Sequence, residues 1–338
     1  MPGRKKRRGS VMIFPAWRIG RRLYTLILVL MNLSQKIVFG TALLLTSLTG
    51  QAQKKTTKAA AKAPTVAAVT TDASANSLLW EVSGKGLRAP SYVFGTIHMI
   101  CPTDMSMAEP VKQAVSKSSQ VVLELDMDDP SMGQQAQAGM MMQGGQTLRQ
   151  LLSPADYTRV GTYLQAKANL PIDQVGTIKP FFLGSMLIPA VLGCTPASYE
   201  MAFVEMAKAQ KKEVLGLESM QDQIGVFDKI PYAEQSKMLT DMVNKEAEMK
   251  QEMQQMLGLY KAQKVEALHE MSTKSLFGFT KYNDLLLDAR NQRWIAGMEK
   301  MAADQPTFFA VGAAHLGGPK GVLALLRQQG YQVRPVTQ

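Results

Sequence analysis

Short apolar runs separated by stretches of helical periodicity predict an α/β protein from residue 78 onward. Two such runs, at 78–82 and 91–96, flank a turn that contains Gly84-Lys85-Gly86, and they predict a β-hairpin. Later apolar runs predict strands at 121–126, 213–218, 307–311 and 331–335, and the β-branched run at 121–126 is expected to be mostly buried. The alternation of strands and helices predicts a central sheet flanked by helices.

Apolar positions at helical spacing predict the connecting helices. They are expected from Glu109-Pro110 and at 153–168, 179–192, 196–212, 230–270, 282–302 and 319–329. The long, polar 230–270 segment is predicted to be a helical insertion, and its His269 is assigned to surface or packing. Residues 130–146 are rich in Gly, Gln and Met, and their apolar positions show neither helical nor strand periodicity. They predict a mobile loop or a lid over the site.

Residues 1–52 carry the positive charge of the chain, in the pattern of an export signal. Nine of the 38 Lys and Arg residues lie in this segment, which leaves 29 basic against 27 acidic side chains elsewhere. That balance gives no electrostatic footprint for nucleic acid, so no nucleic-acid partner is expected. Within 31–52, Lys36 precedes an apolar run that ends at Gly50-Gln51-Ala52, a small-x-small cleavage site.

We therefore predict an upstream extension at 1–30, a signal peptide at 31–52, and a periplasmic or secreted product. The alternative is an uncleaved N-terminal segment as the chain's contact with a membrane, although its two apolar runs are each too short to span a bilayer. Residues 53–77, rich in Lys, Ala and Thr, predict a disordered linker. The remainder, 78–338, is long enough for one sizeable α/β domain or two small ones.

The chain has two cysteines, Cys101 and Cys194. In an exported protein such a pair predicts a disulfide. Cys101 also lies three residues after His98, so a role as a metal ligand is the alternative.

Two of the three histidines end the same short motif. Gly95-Thr96-Ile97-His98 and Gly312-Ala313-Ala314-His315 each complete a predicted strand. The glycine lets the backbone adopt a φ closed to other residues, or lets another group approach closely. Two further strands carry Glu124 and Glu218, which indicates two pseudo-symmetric halves of one mixed sheet. Because ligands collect at strand carboxyl ends, we expect the two histidines and the two glutamates to form one site.

Imidazole and carboxylate groups suit a divalent metal ion such as Zn, Mn, Co or Fe, so His98, His315 and Glu124 are candidate ligands. A metal-bound water is a nucleophile for hydrolysis, and Glu124 is alternatively the base that takes its proton. Arg290 lies on the apolar-leaning face of a helix and needs an acidic partner, since an unpaired buried guanidinium is costly. Glu218 is either that partner or a further ligand.

Other features of the sequence bear on the same site. The helix expected to start at Pro319 should offer free N–H groups to an anion at this sheet edge. The sequence contains no His-Glu-x-x-His, Gly-x-Ser-x-Gly, phosphate-loop or dinucleotide-binding motif. The zincin type is therefore excluded, and a serine hydrolase is disfavoured.

In this order, the residues resemble the TraB/PrgY/GumN family, which includes the Tiki metalloproteases. The matching residues span about 78–338 and comprise the two Gly-x-x-His motifs, Glu124 in Leu-Glu-Leu-Asp, Gly216-Leu217-Glu218-Ser219 with Gln223, Arg290-Asn291, Leu316 and Gly330-Tyr331. The resemblance implies an α/β domain of the erythromycin-esterase/ChaN-like group. It also implies a metal-dependent proteolytic centre at His98, His315 and Glu124, with Arg290 in a supporting role.

Three functions remain open from the sequence. The first is an exported metal-dependent hydrolase, a peptidase above all, whose substrate is a peptide or a small molecule. The second is a haem- or iron-binding module of the ChaN-like type without hydrolytic activity, with histidine as the axial ligand. The third is a metal-free scaffold in which the histidines are structural.

Overall fold

The computed structural model describes residues 76–275 and 280–337, which belong to one compact unit. The predicted extension, the signal peptide and nearly all of the linker lie outside the described residues. No helix in the described ranges has both the length and the apolar character needed to cross a bilayer. The sheet consists of β1 (Leu79–Ser83), β2 (Ser91–Thr96), β3 (Gln120–Leu123), β4 (Glu213–Gly216), β5 (Thr307–Gly312) and β6 (Gln332–Pro335).

The six strands form a mixed sheet in the order β4-β3-β5-β2-β1-β6. The predicted hairpin is confirmed, because β1 pairs antiparallel with β2, and β1 also pairs antiparallel with β6. The other neighbours, β4 with β3, β3 with β5 and β5 with β2, are parallel. Strand β5, from the second half of the chain, lies between β3 and β2 from the first half. Four strands therefore end at the same edge of the sheet.

Helices flank this sheet, as expected of an α/β fold. They are α1 (Glu109–Lys117), α2 (Met132–Gly139), α3 (Leu148–Leu151), α4 (Pro154–Ala168), α5 (Ile172–Val175), α6 (Pro180–Leu192), α7 (Tyr199–Ala209), α8 (Met220–Asp228), α9 (Tyr232–Asn244), α10 (Glu246–Lys261), α11 (Val265–Lys274), α12 (Ala289–Asp304) and α13 (Val322–Gln328). Short 3₁₀ turns occur at Thr280–Tyr282 and Ala313–His315, and a π-helical turn, Asp284–Asp288, leads into α12.

Three predictions of local structure are wrong. The 230–270 insertion is three helices, because non-helical backbone at Lys245 and the positive φ of Gln263 interrupt it. Residues 132–139 are helix α2 and not a loop. This helix has no apolar period because it packs through small residues: a Cβ on Gly139 would lie 2.0 Å from Ile224 Cδ1 of α8.

The helix expected from Pro319 begins three residues later, at Val322, and α13 is only seven residues long. The chain stays in a turn because Gly318 has a φ of 82° and Gly321 lies against the carbonyl of Gly317. The N–H of Gly318 donates to Glu266 Oε2 at 2.8 Å. The expected anion site at a helix start at Pro319 is therefore not formed.

An aromatic cluster joins α7 to the centre of the sheet. The Phe203 ring of α7 lies 5.5 Å from the Phe94 ring of β2 and 4.9 Å from the Phe308 ring of β5, between ring centroids. All three side chains are buried. Because residues three apart share a helix face, this packing also turns Glu200 toward the sheet.

Candidate functional site at the carboxyl edge of the sheet

The structure brings the two histidines and the two glutamates of the sequence pattern to one edge of the sheet. His98 follows β2, Glu124 follows β3, Glu218 follows β4, and His315 ends the turn after β5. A Cβ on Gly312 would lie 3.3 Å from Glu124 Oε1, 3.5 Å from His315 Cδ2 and 3.6 Å from His98 Nε2. Both imidazoles and one carboxylate therefore face the same small space beside Gly312.

The motif glycines serve close approach and not an unusual backbone conformation. Neither Gly95 nor Gly312 is among the residues with positive φ. A Cβ on Gly95 would lie 2.8 Å from Leu316 Cδ1 and 3.1 Å from Ala313 Cα, so the absence of a side chain lets the second motif pack on the first. Of the two reasons that the sequence offers for these glycines, only close approach applies.

Arg290 connects the acidic side chains with His315. Its Nη2 lies 2.5 Å from Glu124 Oε2 and 2.5 Å from Glu218 Oε1, and Nε donates to Glu218 Oε1 at 3.0 Å. Its Nη1 lies 3.1 Å from His315 Nε2 and also donates to the Leu286 carbonyl at 3.1 Å. The prediction of an acidic partner for Arg290 is confirmed, and the partner is a pair of carboxylates.

Glu218 has its oxygens occupied by neighbouring donors. Besides Arg290, Gln223 Nε2 donates to Oε1 at 3.2 Å and Trp294 Nε1 donates to Oε2 at 3.2 Å. Of the two roles expected for Glu218, this arrangement supports the partner of Arg290. Glu218 thus holds the guanidinium against Glu124 and His315.

Glu124 is buried, with acceptor contacts on both oxygens. The N–H of Gly312 donates to Oε1 at 2.8 Å, and the same oxygen lies 3.8 Å from His315 Nε2. Burial by itself favours the neutral acid, but His315, Arg290, His98 and the Gly312 N–H lower the pKa of Glu124 well below its usual range. The carboxylate is therefore ionised throughout the physiological range.

His315 is enclosed, and the hydrogen-bond partners fix its tautomer. Nδ1 lies 2.6 Å from Asn291 Oδ1 and donates to it, while Nε2 accepts from Arg290 Nη1. The Trp294 ring lies 4.6 Å from the imidazole, between centroids. Burial, with a further contribution from Arg290 and against the attraction of Glu124, lowers the pKa of His315 to about 3. The ring is neutral at physiological pH.

The low pKa of His315 predicts a loss of stability in mild acid. Between pH 6.5 and 4.5 the unfolded chain protonates this histidine and the folded chain does not, so its contribution falls by about 1.4 kcal/mol per pH unit. His315→Gln should remove this slope. The free energy of unfolding in urea, measured with EDTA across that range for both proteins, provides the comparison. Parallel pH profiles would show that His315 is not the group responsible.

His98 is held differently, by a carboxylate that the sequence reasoning missed. Its ring is 63% exposed, and Nδ1 lies 2.8 Å from Oε1 of Glu200, in α7. Partial desolvation lowers the pKa of His98, but the hydrogen bond to Glu200 and its charge outweigh this and raise the pKa to about 9. His98 in turn helps to lower the pKa of Glu200 to about 2, although burial opposes the shift.

The signal for Glu200 was present in the helical periodicity. Glu200 shares the buried face of α7 with Phe203, Val204 and Ala207. An acidic residue on a buried apolar face needs a partner, which is the reasoning that located Arg290. Sequence reasoning also identified Asn291 only as part of a motif, and its contact with His315 comes from the structure.

Side chains of the helical insertion form hydrogen bonds with the backbone of both Gly-x-x-His segments. Tyr260 donates from its hydroxyl to the Gly95 carbonyl at 2.9 Å. His269 Nδ1 lies 3.0 Å from the Ala314 carbonyl, and Glu266 accepts from the N–H of Gly318. The packing role expected for His269 is therefore a specific contact with the turn that carries His315.

A disulfide joins Cys101 to Cys194. Cys101 therefore provides no thiolate, and the alternative of a cysteine metal ligand is wrong. Among the described residues, no three His, Cys, Asp or Glu side chains are placed to hold a metal ion together. Arg290 donates to one oxygen of Glu124 and to the Nε2 of His315, so neither atom is free for an ion in this arrangement.

The chemistry of these groups nevertheless suits a divalent cation. Each imidazole has its Nδ1 engaged by an outer partner, Glu200 for His98 and Asn291 for His315, an arrangement typical of metal-binding histidines. The buried carboxylates of Glu124 and Glu218 contact one buried guanidinium, that of Arg290, and the buried carboxylate of Glu200 contacts His98. Because the pKa of His98 is about 9 and that of His315 about 3, His98 is charged and His315 is neutral at physiological pH, and the cluster has one excess negative charge.

Comparison with known proteins identifies the class. The model of the TraB/PrgY/gumN family matches residues 78–335, so the chain belongs to this family. A part of the chain is similar to Metalloprotease TIKI1 of Danio rerio, with 34% identity over 91 residues, which are 27% of this chain. The match covers 18% of the length of that relative. No solved structure matches.

Proposed function

We propose that this protein is an exported, metal-dependent hydrolase that acts on peptide bonds, with His98, His315 and Glu124 at its centre. The observation that carries the proposal is the convergence of two imidazoles and a carboxylate on the space beside Gly312. The similarity of a 91-residue part of the chain to a metalloprotease supports the class of reaction. The Cys101–Cys194 disulfide supports export, since disulfides persist in oxidising compartments.

Charge balance supports a divalent ion in particular. The cluster has one excess negative charge with His98 protonated and two once a metal ion displaces that proton, and such charge in a buried cluster is costly unless a cation compensates it. Zn, Mn, Co or Fe bound by imidazole and carboxylate would supply this charge, and such an ion acidifies water for hydrolysis. His98 and His315 would hold the ion through Nε2, and Arg290 would have to give up its contact with His315 Nε2.

The surrounding side chains have separate tasks in this proposal. Glu124 is either the third ligand or the base that accepts a proton from the attacking water. Arg290 keeps Glu124 ionised and lies where it could stabilise negative charge on a tetrahedral centre. Glu200 and Asn291 fix the tautomers of the two histidines.

Metal analysis of the purified wild type beside His98→Ala, His315→Ala and the double variant tests the proposal. We expect about one metal ion per wild-type chain and loss of most of it from the double variant. Hydrolysis of a quenched fluorescent peptide library should fall in parallel, and Lys208→Ala, an exposed change on α7, should match the wild type. Full metal content and activity in the double variant would overturn the proposal. A haemin titration with a Soret shift that requires His98, without peptide hydrolysis, would instead favour the haem- or iron-binding module.

A further inference from the structure

We propose that Glu200 is a positioning residue for His98, which orients the imidazole so that Nε2 faces the space beside Gly312. The consequence for catalysis rests on the proposed function, whereas the orienting role itself does not. No motif of the sequence pointed to this glutamate, and it lies on a helix remote from both Gly-x-x-His motifs in the chain.

The hydrogen bonds of Glu200 give the carboxylate a single arrangement. Oε1 accepts from the Thr96 hydroxyl at 2.6 Å and contacts His98 Nδ1 at 2.8 Å, while Oε2 accepts from the Ser198 hydroxyl at 2.7 Å. Thr96 is the last residue of β2, two residues before His98. One carboxylate is therefore hydrogen-bonded both to the end of β2 and to the histidine that follows it.

His98 depends on this contact more than His315 depends on any single partner. The His315 side chain is 5% exposed and lies against Trp294, Arg290 and Asn291. The His98 side chain is 63% exposed, so little packing restricts its rotation. The hydrogen bond to Glu200 is thus the main determinant of its ring orientation.

The segment that contains Glu200 is itself fastened to the segment that contains His98. Ile100 and Ala197 exchange two backbone hydrogen bonds, of 3.1 and 2.7 Å, and the disulfide joins Cys101 to Cys194 directly beside them. On its other side, Glu200 is fixed by the packing of Phe203 against Phe94. The fold itself therefore fixes the position of the Glu200 carboxylate, without a bound ligand.

The chemical effect is that of a carboxylate behind a metal-binding histidine. When a metal ion displaces the Nε2 proton of His98, the Nδ1–H still donates to Glu200, and this hydrogen bond makes Nε2 a stronger metal ligand. Loss of such an outer partner costs 10- to 100-fold in metal affinity or activity in known metal sites. We expect Glu200→Ala to lower kcat and the affinity for metal by about 10- to 100-fold. The KM for the peptide should change little.

A graded series separates orientation from charge. Glu200→Gln has the size of the native side chain and an oxygen that accepts from Thr96 and His98, but it lacks the charge. This variant should recover a part of what Glu200→Ala loses. Glu205→Ala, an exposed change on the same helix, is the matched control and should behave as the wild type. A Glu200→Ala variant with wild-type metal affinity and kcat would overturn the catalytic consequence.

The orienting role has a readout that needs neither metal nor activity. In the metal-free protein with EDTA, the Nδ1 proton of His98 should give a downfield, slowly exchanging NMR signal. We expect this signal to persist in Glu200→Gln and to disappear in Glu200→Ala. Its persistence in Glu200→Ala would overturn the positioning role whatever the activity. If it disappears as expected and the wild type neither binds metal nor hydrolyses peptides, the positioning role stands and the proposed function fails.

Discussion

Replacement of Glu124 by glutamine is expected to lower kcat/KM for peptide hydrolysis by about 100- to 10,000-fold. The amide keeps the size of the side chain and an oxygen for the Gly312 N–H, so the fold should be retained. What it loses is the negative charge, which either binds the ion or accepts the proton of the attacking water. Steady-state kinetics and metal content, measured on the same preparations, provide the test.

The two measurements also separate the two roles of Glu124. Retained metal with a reduced kcat indicates the base, whereas lost metal indicates the third ligand. Glu109→Gln, an exposed carboxylate in the first turn of α1, is the control and should leave both quantities unchanged. A Glu124→Gln variant with at least a third of the wild-type activity would exclude both roles.

Replacement of Arg290 by methionine is expected to destabilise the fold by about 3–5 kcal/mol. The change leaves two buried carboxylates, Glu124 and Glu218, without their cation. Methionine has a similar length and no charge, so the loss reports the unpaired charges more than a lost volume. Urea unfolding of the wild type and the variant gives the difference in free energy.

Two further variants make the interpretation of the Arg290 result specific. Arg293→Met removes a guanidinium that is 48% exposed and 3.9 Å from Glu218 Oε2, and it should cost less than about 1 kcal/mol. Addition of Glu218→Gln to Arg290→Met should restore a part of the loss, because it neutralises one unpaired carboxylate. If Arg290→Met alone lowers the free energy of unfolding by less than about 1 kcal/mol, the two carboxylates are hydrogen-bonded to water or to other groups in the variant.

The Arg290 network also shows how the site combines two opposing demands. Its guanidinium stabilises the acidic cluster, yet it occupies Glu124 Oε2 and His315 Nε2, two atoms that could otherwise bind a metal ion. Any cation that binds between the histidines would compete with Arg290 for His315. The affinity for metal and the stability of the empty site are therefore coupled through one side chain.

Much of the fold followed from local patterns. The hairpin, the four further strands and most helices were predicted because alternation and helical periodicity are properties of neighbouring residues. Helix α2 was missed, since it packs on α8 through small residues and leaves no apolar period. The 230–270 insertion was predicted as one helix because the breaks near Lys245 and Gln263 have no proline or glycine to mark them.

The sequence by itself determined which groups meet at the sheet edge. Parallel strands end on one side, so residues that follow them, His98, Glu124, Glu218 and His315, had to gather there. It also determined that Arg290 needs an acidic partner, because an unpaired buried charge is too costly. These conclusions depend on local pattern and on the energetics of burial alone.

Only the tertiary structure decided which group contacts which. Glu200 and His98 are 102 residues apart, and Glu218 and Arg290 are 72 apart, so no local period relates them. Helix packing on the sheet brings a carboxylate within hydrogen-bond distance of one histidine and a guanidinium within that distance of the other. The same packing makes His98 exposed and His315 enclosed. The physical reason is that long-range packing sets distances and desolvation, and these determine the charge on each group.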